Sequence, residues 1–489
     1  MGGVMKSSDV MRALAPDDQT ADEEPLTATL FPLRFLGMGL LIAWLCCTHV
    51  VSIFPGLASD VSLRTVFDNG MRFGDVGTFI VLAVLASRIG RLSRFVKTST
   101  CFVGLTMLGT ASIGLILIPA EASATLIFCL SILTAIGGAF LFCLWAEAYS
   151  QMGMTQTLMY GAGSCIVAGL ISFIVSTMQP PFAILATTLL PVFSLACALL
   201  SFRILPAERP CSADMRYPLP WKLLGIMAVA GLLSGTAGAG MPGAIWIGAI
   251  HRVVATGLAG LVIIVMTLTL KSSVDVRFLA KVTLPLSVIA LALIPLSGPE
   301  WGFIVSFLIK LAYVWFTIFV LLMLANIAYR FEVPSLRLFA TARAISEAAI
   351  FIGITFRSTL VQEGFLSNPT LTVGITLGGI VLILVCVVIW MSEKTVNSDW
   401  GASGISLSDK LHVPGPRERF MARCDAIAAQ YGLTPREQEI MALIAQRKSR
   451  AEIEQELFLS QNTVKTHVRH LYAKLGVGSK ADVIELLEA

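Results

Sequence analysis

Residues 461–475 read QNTVKTHVRHLYAKL, and this stretch decides the fold of the end of the chain. Its apolar residues recur at steps of four, three and four, which places them on one face of a helix. These apolar residues are Val464, Val468, Leu471 and Leu475. The remaining surface carries Lys465, Thr466 and Arg469, and no Asp or Glu occurs between residues 461 and 481. A helix with one apolar side and one cationic side suits a groove lined by phosphates.

Several short helices are predicted around this stretch, because residues that satisfy free backbone N–H groups recur there. Two of the starts have the Ser/Thr-x-x-Glu pattern of a capping box. The predicted starts are Thr434 with Glu437, Ser449 with Glu452, Ser460 alone, and Ser479 with Asp482. Helices that stop and restart at such intervals predict a compact helical domain rather than a long rod.

The order of these motifs resembles the helix-turn-helix domain of the LuxR, FixJ and NarL family of bacterial transcription regulators. The similarity is carried by LTPREQEIMALIAQ from residue 433 and SRAEIEQELFLSQNTVKTHVRHLYAKLGV from residue 449. It covers roughly the last 60 residues, a normal size for such a domain. The resemblance implies a small four-helix DNA-binding domain at 417–489, with its helix-turn-helix at about 451–470, whose partner is double-stranded DNA.

The resemblance also implies which side chains contact DNA. Lys465, Thr466 and Arg469 take the base-facing positions, where Lys or Arg reads guanine edges and a Thr methyl group contacts thymine. The implied contacts to the DNA backbone are Ser460, Asn462, Thr463, Arg447, Lys448, Arg450 and Lys474. The alternative interpretation is a cationic solvated helix with no role in nucleic-acid binding.

Family members commonly bind as homodimers, so the resemblance implies a homodimer through the DNA-binding domain. The last helix, residues 480–487, is the expected contact. Val483, Ile484 and Leu487 give this helix an apolar stripe.

The rest of the chain has the composition of a membrane protein. Of its 489 residues, 56% are hydrophobic and only 13% are charged, and the mean hydropathy is +0.81. The ten cysteines are scattered, without a C-x-x-C pair or a His at ligand spacing. We therefore expect no metal site, no disulfide framework and no cofactor.

Apolar runs long enough to cross about 30 Å of hydrocarbon follow one another from residue 31. Twelve are predicted, at 33–54, 74–90, 99–119, 123–146, 157–178, 182–203, 221–241, 244–270, 278–297, 301–328, 338–361 and 370–391. The sequence therefore predicts an all-α protein in which residues 31–392 form a polytopic bundle of twelve transmembrane helices and interact with the lipid bilayer.

Basic residues collect in the even-numbered connections between these spans. They are Arg88, Arg91, Arg94, Lys97, Arg203, Arg209, Arg216, Lys222, Lys271, Arg277, Arg330 and Arg337. The odd-numbered connections are assigned little more than Arg64, Arg72 and Arg357. Positive charge marks the cytoplasmic side, so both termini are predicted to lie in the cytoplasm of a bacterial cell, at its inner membrane.

A long Pro-containing connection, residues 205–220, divides the twelve spans into two groups of six. This arrangement resembles the major facilitator architecture in outline. The basic connection SRIGRLSR, residues 87–94, echoes the second loop of that superfamily but lacks its expected Asp. That departure puts active transport in doubt.

Polar residues within the second group of spans are the candidates for a membrane pocket. They are His251, Arg252, Lys310, Asn326, Arg343 and Glu347. A charge at membrane depth costs at least about 2.5 kcal/mol and is therefore paired or faces a watery cavity. Arg343 and Glu347 are four residues apart, so they form either a structural ion pair or part of a ligand pocket.

Three further segments complete the predicted organisation. Residues 1–30 are polar and acidic and predict a disordered cytoplasmic tail, and residues 393–416 predict a flexible linker. Residues 417–431 predict a helix with Phe420, Cys424, Ile427 and Tyr431 on one face. This helix either packs on the DNA-binding unit or relays the state of the membrane part to it.

Two functions follow from this organisation. One is a membrane-bound one-component transcription regulator, whose membrane domain senses an unknown small molecule or membrane state and modulates DNA binding. The other is a major-facilitator-like transporter with an appended regulatory DNA-binding tail. The sequence contains no nucleophile–base pair, metal cluster or phosphate loop, so we do not expect an enzyme.

Overall fold

The structure is a computed structural model of the whole chain, and part of the chain is described here. The described residues are 33–51, 53–54, 56–57, 60–89, 92–116, 123–202, 219–238, 249–269, 276–295, 302–331, 334–365, 368–390, 416–445, 448–457 and 459–488. The predicted tail 1–30, the predicted linker up to residue 415, the connection 203–218 and Arg447 lie outside them. By internal contacts the chain divides into Met1–Leu33, of which only Leu33 is described, and Arg34–Ala489.

Twelve helical segments occupy the twelve predicted spans within the described residues. The first, α1, consists of a 3-10 turn Leu33–Gly37, the α-helix Met38–Leu45 and a π-helical turn Cys46–Val51. The others are α2 Val61–Ile89, α3 Leu92–Ile116, α4 Ala124–Tyr149, α5 Met154–Ser176, α6 Pro180–Phe202, α7 Trp221–Gly238, α8 Ile250–Thr269, α9 Val276–Ala292, α10 Gly302–Phe331, α11 Ser335–Gln362 and α12 Pro369–Trp390. Among the described helices, ten are long and apolar enough to cross a membrane. The all-helical twelve-segment prediction is confirmed.

Three arginines that were assigned to connections lie inside helices, which corrects that assignment; Arg357 also falls within the predicted span 338–361. Helix α2 begins at Val61 instead of residue 74, so that Arg64 and Arg72 belong to it. Arg357 lies in α11, where its guanidinium donates to the carbonyl oxygen of Thr236 at 3.1 Å. A hydropathy pattern excludes such residues from a span, whereas partners within the folded bundle satisfy their charge.

In each group of six helices, one or two helices contact several of the others. In the first group, α1 contacts α5 and α6, and α4 contacts α2 and α3. Buried polar groups need partners, and they bind across these contacts. Trp145 Nε1 donates to Ser194 Oγ at 2.9 Å, and the Tyr149 hydroxyl donates to the Phe35 carbonyl at 2.9 Å. In the second group, α10 contacts α7, α8, α9 and α11.

The two groups meet through α2 against α11 and through α5 against α8. Glycines bring the α5 and α8 backbones together. A Cβ atom on Gly169 would lie 2.9 Å from the Gly257 Cα atom. A Cβ atom on Gly260 would lie 2.2 Å from the carbonyl oxygen of Ala162. Small residues at a helix interface permit this close approach in a membrane.

The end of the chain forms five helices with a hydrophobic cluster of their own. They are α13 Pro416–Tyr431, α14 Pro435–Ala445, α15 Arg450–Leu457, α16 Gln461–Leu475 and α17 Lys480–Glu488. The predicted helix 417–431 is confirmed as α13. Its Cys424 is fully buried among side chains of the later helices, and the Arg423 guanidinium donates to the Leu487 carbonyl at 2.9 Å. Helix α13 also contacts α10 of the membrane body.

The predicted helix starts are confirmed by backbone hydrogen bonds. The Thr434 N–H donates to Glu437, the Ser449 N–H to Glu452, the Thr463 N–H to Ser460, and the Ser479 N–H to Asp482. The predicted dimer stripe on α17 is wrong for two of its side chains. Val483 and Leu487 are 0% and 4% exposed in the domain's own cluster, because a short helix must bury its apolar face nearby.

We predict that Gly260→Val destabilises the full chain by about 1–3 kcal/mol, because the new side chain meets backbone of α5. Thermal unfolding of the detergent-purified protein measures the effect. Gly104→Val in α3 is the matched control, since a Cβ atom there has nothing within 4 Å. Equal melting temperatures for the two variants would contradict the close α5–α8 contact.

Candidate functional site

Helix α16 is held in the domain by one face and by both of its ends. Val464, Val468, Leu471 and Leu475 are at most 5% exposed, as the spacing predicted. Ser460 caps the first turn, and Gly476 ends the helix in the left-handed conformation, with φ of 69°. A glycine adopts this conformation without strain. The opposite face of α16 is therefore held in a fixed orientation.

The three predicted base-contacting residues lie on that exposed face. Lys465, Thr466 and Arg469 are all exposed. The Thr466 hydroxyl donates to the Asn462 carbonyl of its own helix at 2.9 Å. Their side chains form a cationic surface without a carboxylate in the same helix. Such a surface is suited to the phosphates and base edges of a DNA groove.

The predicted backbone-contacting residues fall into two groups. Ser460, Asn462 and Arg450 are exposed beside the face, and Thr463 is half-buried. The ammonium groups of Lys448 and Lys474 are bound within the domain, to Glu456 and Glu437 respectively. Arg447 lies outside the described residues. The DNA contacts themselves stay predictions.

The Glu437–Lys474 pair is a feature that the sequence pattern did not reveal. Glu437 is 3% exposed, and its carboxylate accepts hydrogen bonds from Lys474 Nζ at 2.7 Å and from the Thr434 N–H at 2.8 Å. Lys474 Nζ also donates to the Gly432 carbonyl at 3.0 Å. Burial raises the pKa of Glu437, but these hydrogen bonds and the Lys474 charge outweigh it, so the pKa falls from 4.5 to about 2.

The predicted membrane residues are placed in separate parts of the bundle. Arg343 and Glu347 form an ion pair along α11 at 2.5 Å. At the start of α8, Arg252 donates to Ser306 at 2.8 Å, and the ring centroid of His251 lies 6.4 Å from that of Phe303. Lys310 lies 6.0 Å from the ring centroid of Tyr313, and Asn326 is buried further along α10.

The Arg343–Glu347 pair belongs to a larger group that links the two halves of the bundle. Arg72 of α2 lies 3.7 Å from Glu347, and Asp75 interacts electrostatically with both members of the pair. The Arg343 guanidinium lies 4.9 Å from the ring centroid of Phe142. We call Arg72, Asp75, Arg343 and Glu347 the inter-half charge cluster. Its two basic and two acidic residues come from facing helices, α2 and α11.

A second polar group lies at the end of α1. His49 Nδ1 is 3.2 Å from the Asp68 carboxylate, and Arg64 donates to the His49 carbonyl at 3.0 Å.

Sequence reasoning did not select Asp68, nor Asp75 of the inter-half charge cluster. A signal was nevertheless present, because Arg64, Asp68, Arg72 and Asp75 recur at steps of four, four and three. This spacing places all four on one helix face.

A family model described as "Bacterial regulatory proteins, luxR family" matches residues 431–487. The chain is 46% identical over 56 residues to the spore germination protein GerE of Bacillus subtilis, covering 11% of this chain and 76% of that protein. It is 40% identical over 53 residues to a putative HTH-type transcriptional regulator of Mycobacterium bovis. That match covers 11% of this chain but only 6% of the mycobacterial protein's length.

A solved structure matches the membrane body. It is a bacterial homologue of the iron transporter ferroportin, in an outward-facing state with soaked iron. The TM-score is 0.52 at 14% sequence identity, and the match covers 74% of this chain and all of that chain. The likeness shows that the two proteins share a fold.

We predict that Glu437 makes the stability of a fragment of residues 416–489 depend on pH. Its pKa is lower in the folded than in the unfolded state, so its contribution is complete above about pH 4.5 and is lost as the pH falls towards 2. The shift corresponds to about 3 kcal/mol. Urea unfolding should show that Glu437→Gln removes this part of the pH dependence. Glu439→Gln, at a side chain that is 51% exposed, is the control and should retain it.

We also predict that Glu347→Gln destabilises the full chain, because Arg343 then loses its nearest carboxylate. Removing one member of a buried pair costs about 3–5 kcal/mol. Thermal unfolding in detergent measures the loss, and the double change Glu347→Leu with Arg343→Met is expected to recover part of it. Glu363→Gln, at the exposed end of α11, is the control. An unchanged melting temperature for Glu347→Gln would rule out a stabilising role for the pair.

Proposed function

The chain belongs, through its C-terminal domain, to the luxR family of bacterial regulatory proteins, and on that premise we propose that it is a membrane-bound transcription regulator. The membrane body senses a small molecule or a state of the membrane. That signal changes sequence-specific DNA binding by the C-terminal domain. The chain acts as a one-component regulator, with binding rather than catalysis as its activity.

The exposed face of α16 carries this proposal. Lys465 and Arg469 are one turn apart on a helix whose other face is buried. A recognition helix needs this arrangement, because its exposed side chains must reach base edges while the domain stays folded. Lys448 and Lys474 form ion pairs with carboxylates of the same domain. The main described cations available to DNA are therefore Lys465, Arg469 and Arg450.

The distribution of basic residues supports a cytoplasmic position for both termini. With the helix bounds of the structure, the sequences of the odd-numbered connections contain no Lys or Arg. The even-numbered connections and the adjoining helix ends hold Arg88, Arg91, Arg203 and Lys271, among others. We therefore propose that the protein lies in the bacterial cytoplasmic membrane with its DNA-binding domain in the cytoplasm.

We propose that the protein binds its operator as a homodimer, as expected for a helix-turn-helix domain that reads paired half-sites. The contact uses an exposed surface of the DNA-binding domain other than the buried positions Val483 and Leu487. Helix α13 is the proposed link for the signal, because it contacts both α10 and α17. A change in the membrane body then alters the position or pairing of the DNA-binding domains.

The second candidate is a transporter with a regulatory tail, and the shared fold with the ferroportin homologue favours it. The two candidates differ in what the membrane body does with its ligand. Uptake of a ligand into sealed vesicles, lost on Glu347→Gln in a protein that still folds, would favour the transporter. Ligand-dependent DNA binding without uptake would favour the regulator.

We predict that Lys465→Ala and Arg469→Ala each weaken operator binding by about 1–3 kcal/mol and reduce discrimination against random DNA. Arg450→Ala should weaken binding to both kinds of DNA alike, because a phosphate contact carries no sequence information. Fluorescence anisotropy measures the affinities, with operators obtained from genomic fragments that the full chain retains. Gln430→Ala, at an exposed position of α13, is the control. Equal losses on operator and random DNA for all three variants would contradict the assigned base contacts.

A further inference from the structure

A cavity lies inside the second half of the membrane body, between α7, α9, α10 and α12. The cavity is partly open, and the empty space in and around it, open solvent included, is about 680 Å³. Sixteen described residues line it, of which twelve are apolar and none is charged. The four polar lining residues all carry hydroxyl groups: Ser234, Thr283, Ser287 and Tyr313.

The hydrophobic core is divided at this cavity. Ala237, Ala290 and Ile309 belong to a small cluster that is separate from the main core, which contains Ile226 and Phe316. All five residues line the cavity. An apolar molecule seated there contacts both clusters at once, so dispersion contacts and the removal of apolar surface from water favour its binding.

The polar residues of the lining indicate which hydrogen-bonding group the ligand carries. Thr283 and Ser287 are one turn apart on α9, and each hydroxyl donates to a backbone carbonyl of its own helix at 2.8 Å. Because their protons are committed, these hydroxyl oxygens offer acceptor positions to the cavity. A ligand with one hydroxyl or N–H group matches them. A charged ligand would lack a counter-charge among the described lining residues.

The cavity is connected to the two parts of the molecule that a signal must reach. Helix α10, which supplies part of its wall, contacts α11, the helix that carries Arg343 and Glu347 of the inter-half charge cluster. Helix α10 supplies Ile309, Ala312 and Tyr313 to the wall and also contacts α13. A shift of α10 on ligand binding therefore reaches both the contact between the halves and the helix that packs on the DNA-binding domain.

We propose that this cavity is the effector site and that it binds an uncharged, mainly apolar molecule with one hydrogen-bond donor. The inference rests on the proposed function, since only a regulator requires an effector. The ligand is a diffusible amphiphile rather than the acyl chain of a bilayer lipid. Its donor group binds at Thr283 and Ser287, and its apolar part lies between the two hydrophobic clusters.

The site is tested with decanol that carries a photoactivatable diazirine, added to the full chain in phosphatidylcholine nanodiscs. Labelled peptides are identified by mass spectrometry. We expect adducts on cavity-lining residues of α9 and α10. Ala290→Trp should lower this labelling about tenfold, because Ala290 lines the cavity and is 1% exposed. Ile289→Trp, on the same helix but 53% exposed, is the matched control and should leave cavity labelling unchanged.

A smaller substitution tests the same site even if the tryptophan variant does not fold. Ser287→Ala removes one acceptor and should weaken cavity labelling by the alkanol about threefold to tenfold, with no effect on labelling by the corresponding diazirine alkane. Two results would overturn the site. One is labelling confined to lipid-facing residues such as Ile289. The other is cavity labelling by a diazirine-bearing phosphatidylcholine, which would identify a lipid chain as the occupant.

The regulatory part is tested by operator affinity of the full chain in the same nanodiscs. We expect decanol to change this affinity about threefold or more and Ala290→Trp to abolish the response, while Ile289→Trp retains it. Cavity labelling together with an operator affinity that neither decanol nor Ala290→Trp alters would overturn the effector role. The proposed function fails separately, if the full chain binds no genomic fragment at all.

Discussion

A charge placed at membrane depth must be neutralised by a partner, and this constraint governs how the two halves of the membrane body meet. Helix α2 carries Arg64, Asp68, Arg72 and Asp75 on one face. The partners of this face come from other helices, with His49 at the end of α1 and Glu347 in α11. The pairing fixes α2 against α11, while backbone contact through Gly169 and Gly260 fixes α5 against α8. One contact between the halves is therefore ionic and the other is made by close backbone packing.

The α2–α11 contact and the α5–α8 contact differ in how a bound ligand would change them. Close glycine packing has no charged group, so it responds to a ligand only through movement of whole helices. The inter-half charge cluster contains two basic and two acidic residues, and α10, which lines the cavity, contacts α11 of this cluster. A small molecule bound in the cavity would thus act on the ionic contact through α10. Helix α10 contacts α11 and α13 and lines the cavity, which makes it the structural element that the proposed sensing and output share.

The C-terminal domain uses charge in two ways. The buried Glu437 binds the exposed Lys474, and this ion pair joins α14 to α16 across 37 residues of sequence. The remaining cations of α16, Lys465 and Arg469, are exposed. The same helix therefore contributes one ammonium to domain stability and leaves two cations for an anionic partner. A count of basic residues in the sequence does not distinguish these roles, because only the position of a carboxylate from another helix separates them.

The sequence by itself determined the features that depend on local spacing. The apolar runs gave twelve membrane segments, because hydrocarbon thickness sets a minimum run length. The capping residues and the 3.6-residue period gave the helices of the C-terminal domain and the buried face of α16. Only the tertiary structure decided which side chains meet across helices. It placed Arg64 and Arg72 inside α2, paired Arg72 with Glu347, and buried Val483 and Leu487 within their own domain. It also formed an apolar cavity whose described lining includes none of the polar residues selected in advance. The reason is physical: these outcomes depend on contacts between residues distant in sequence, and periodicity within a single helix contains no information about its partner.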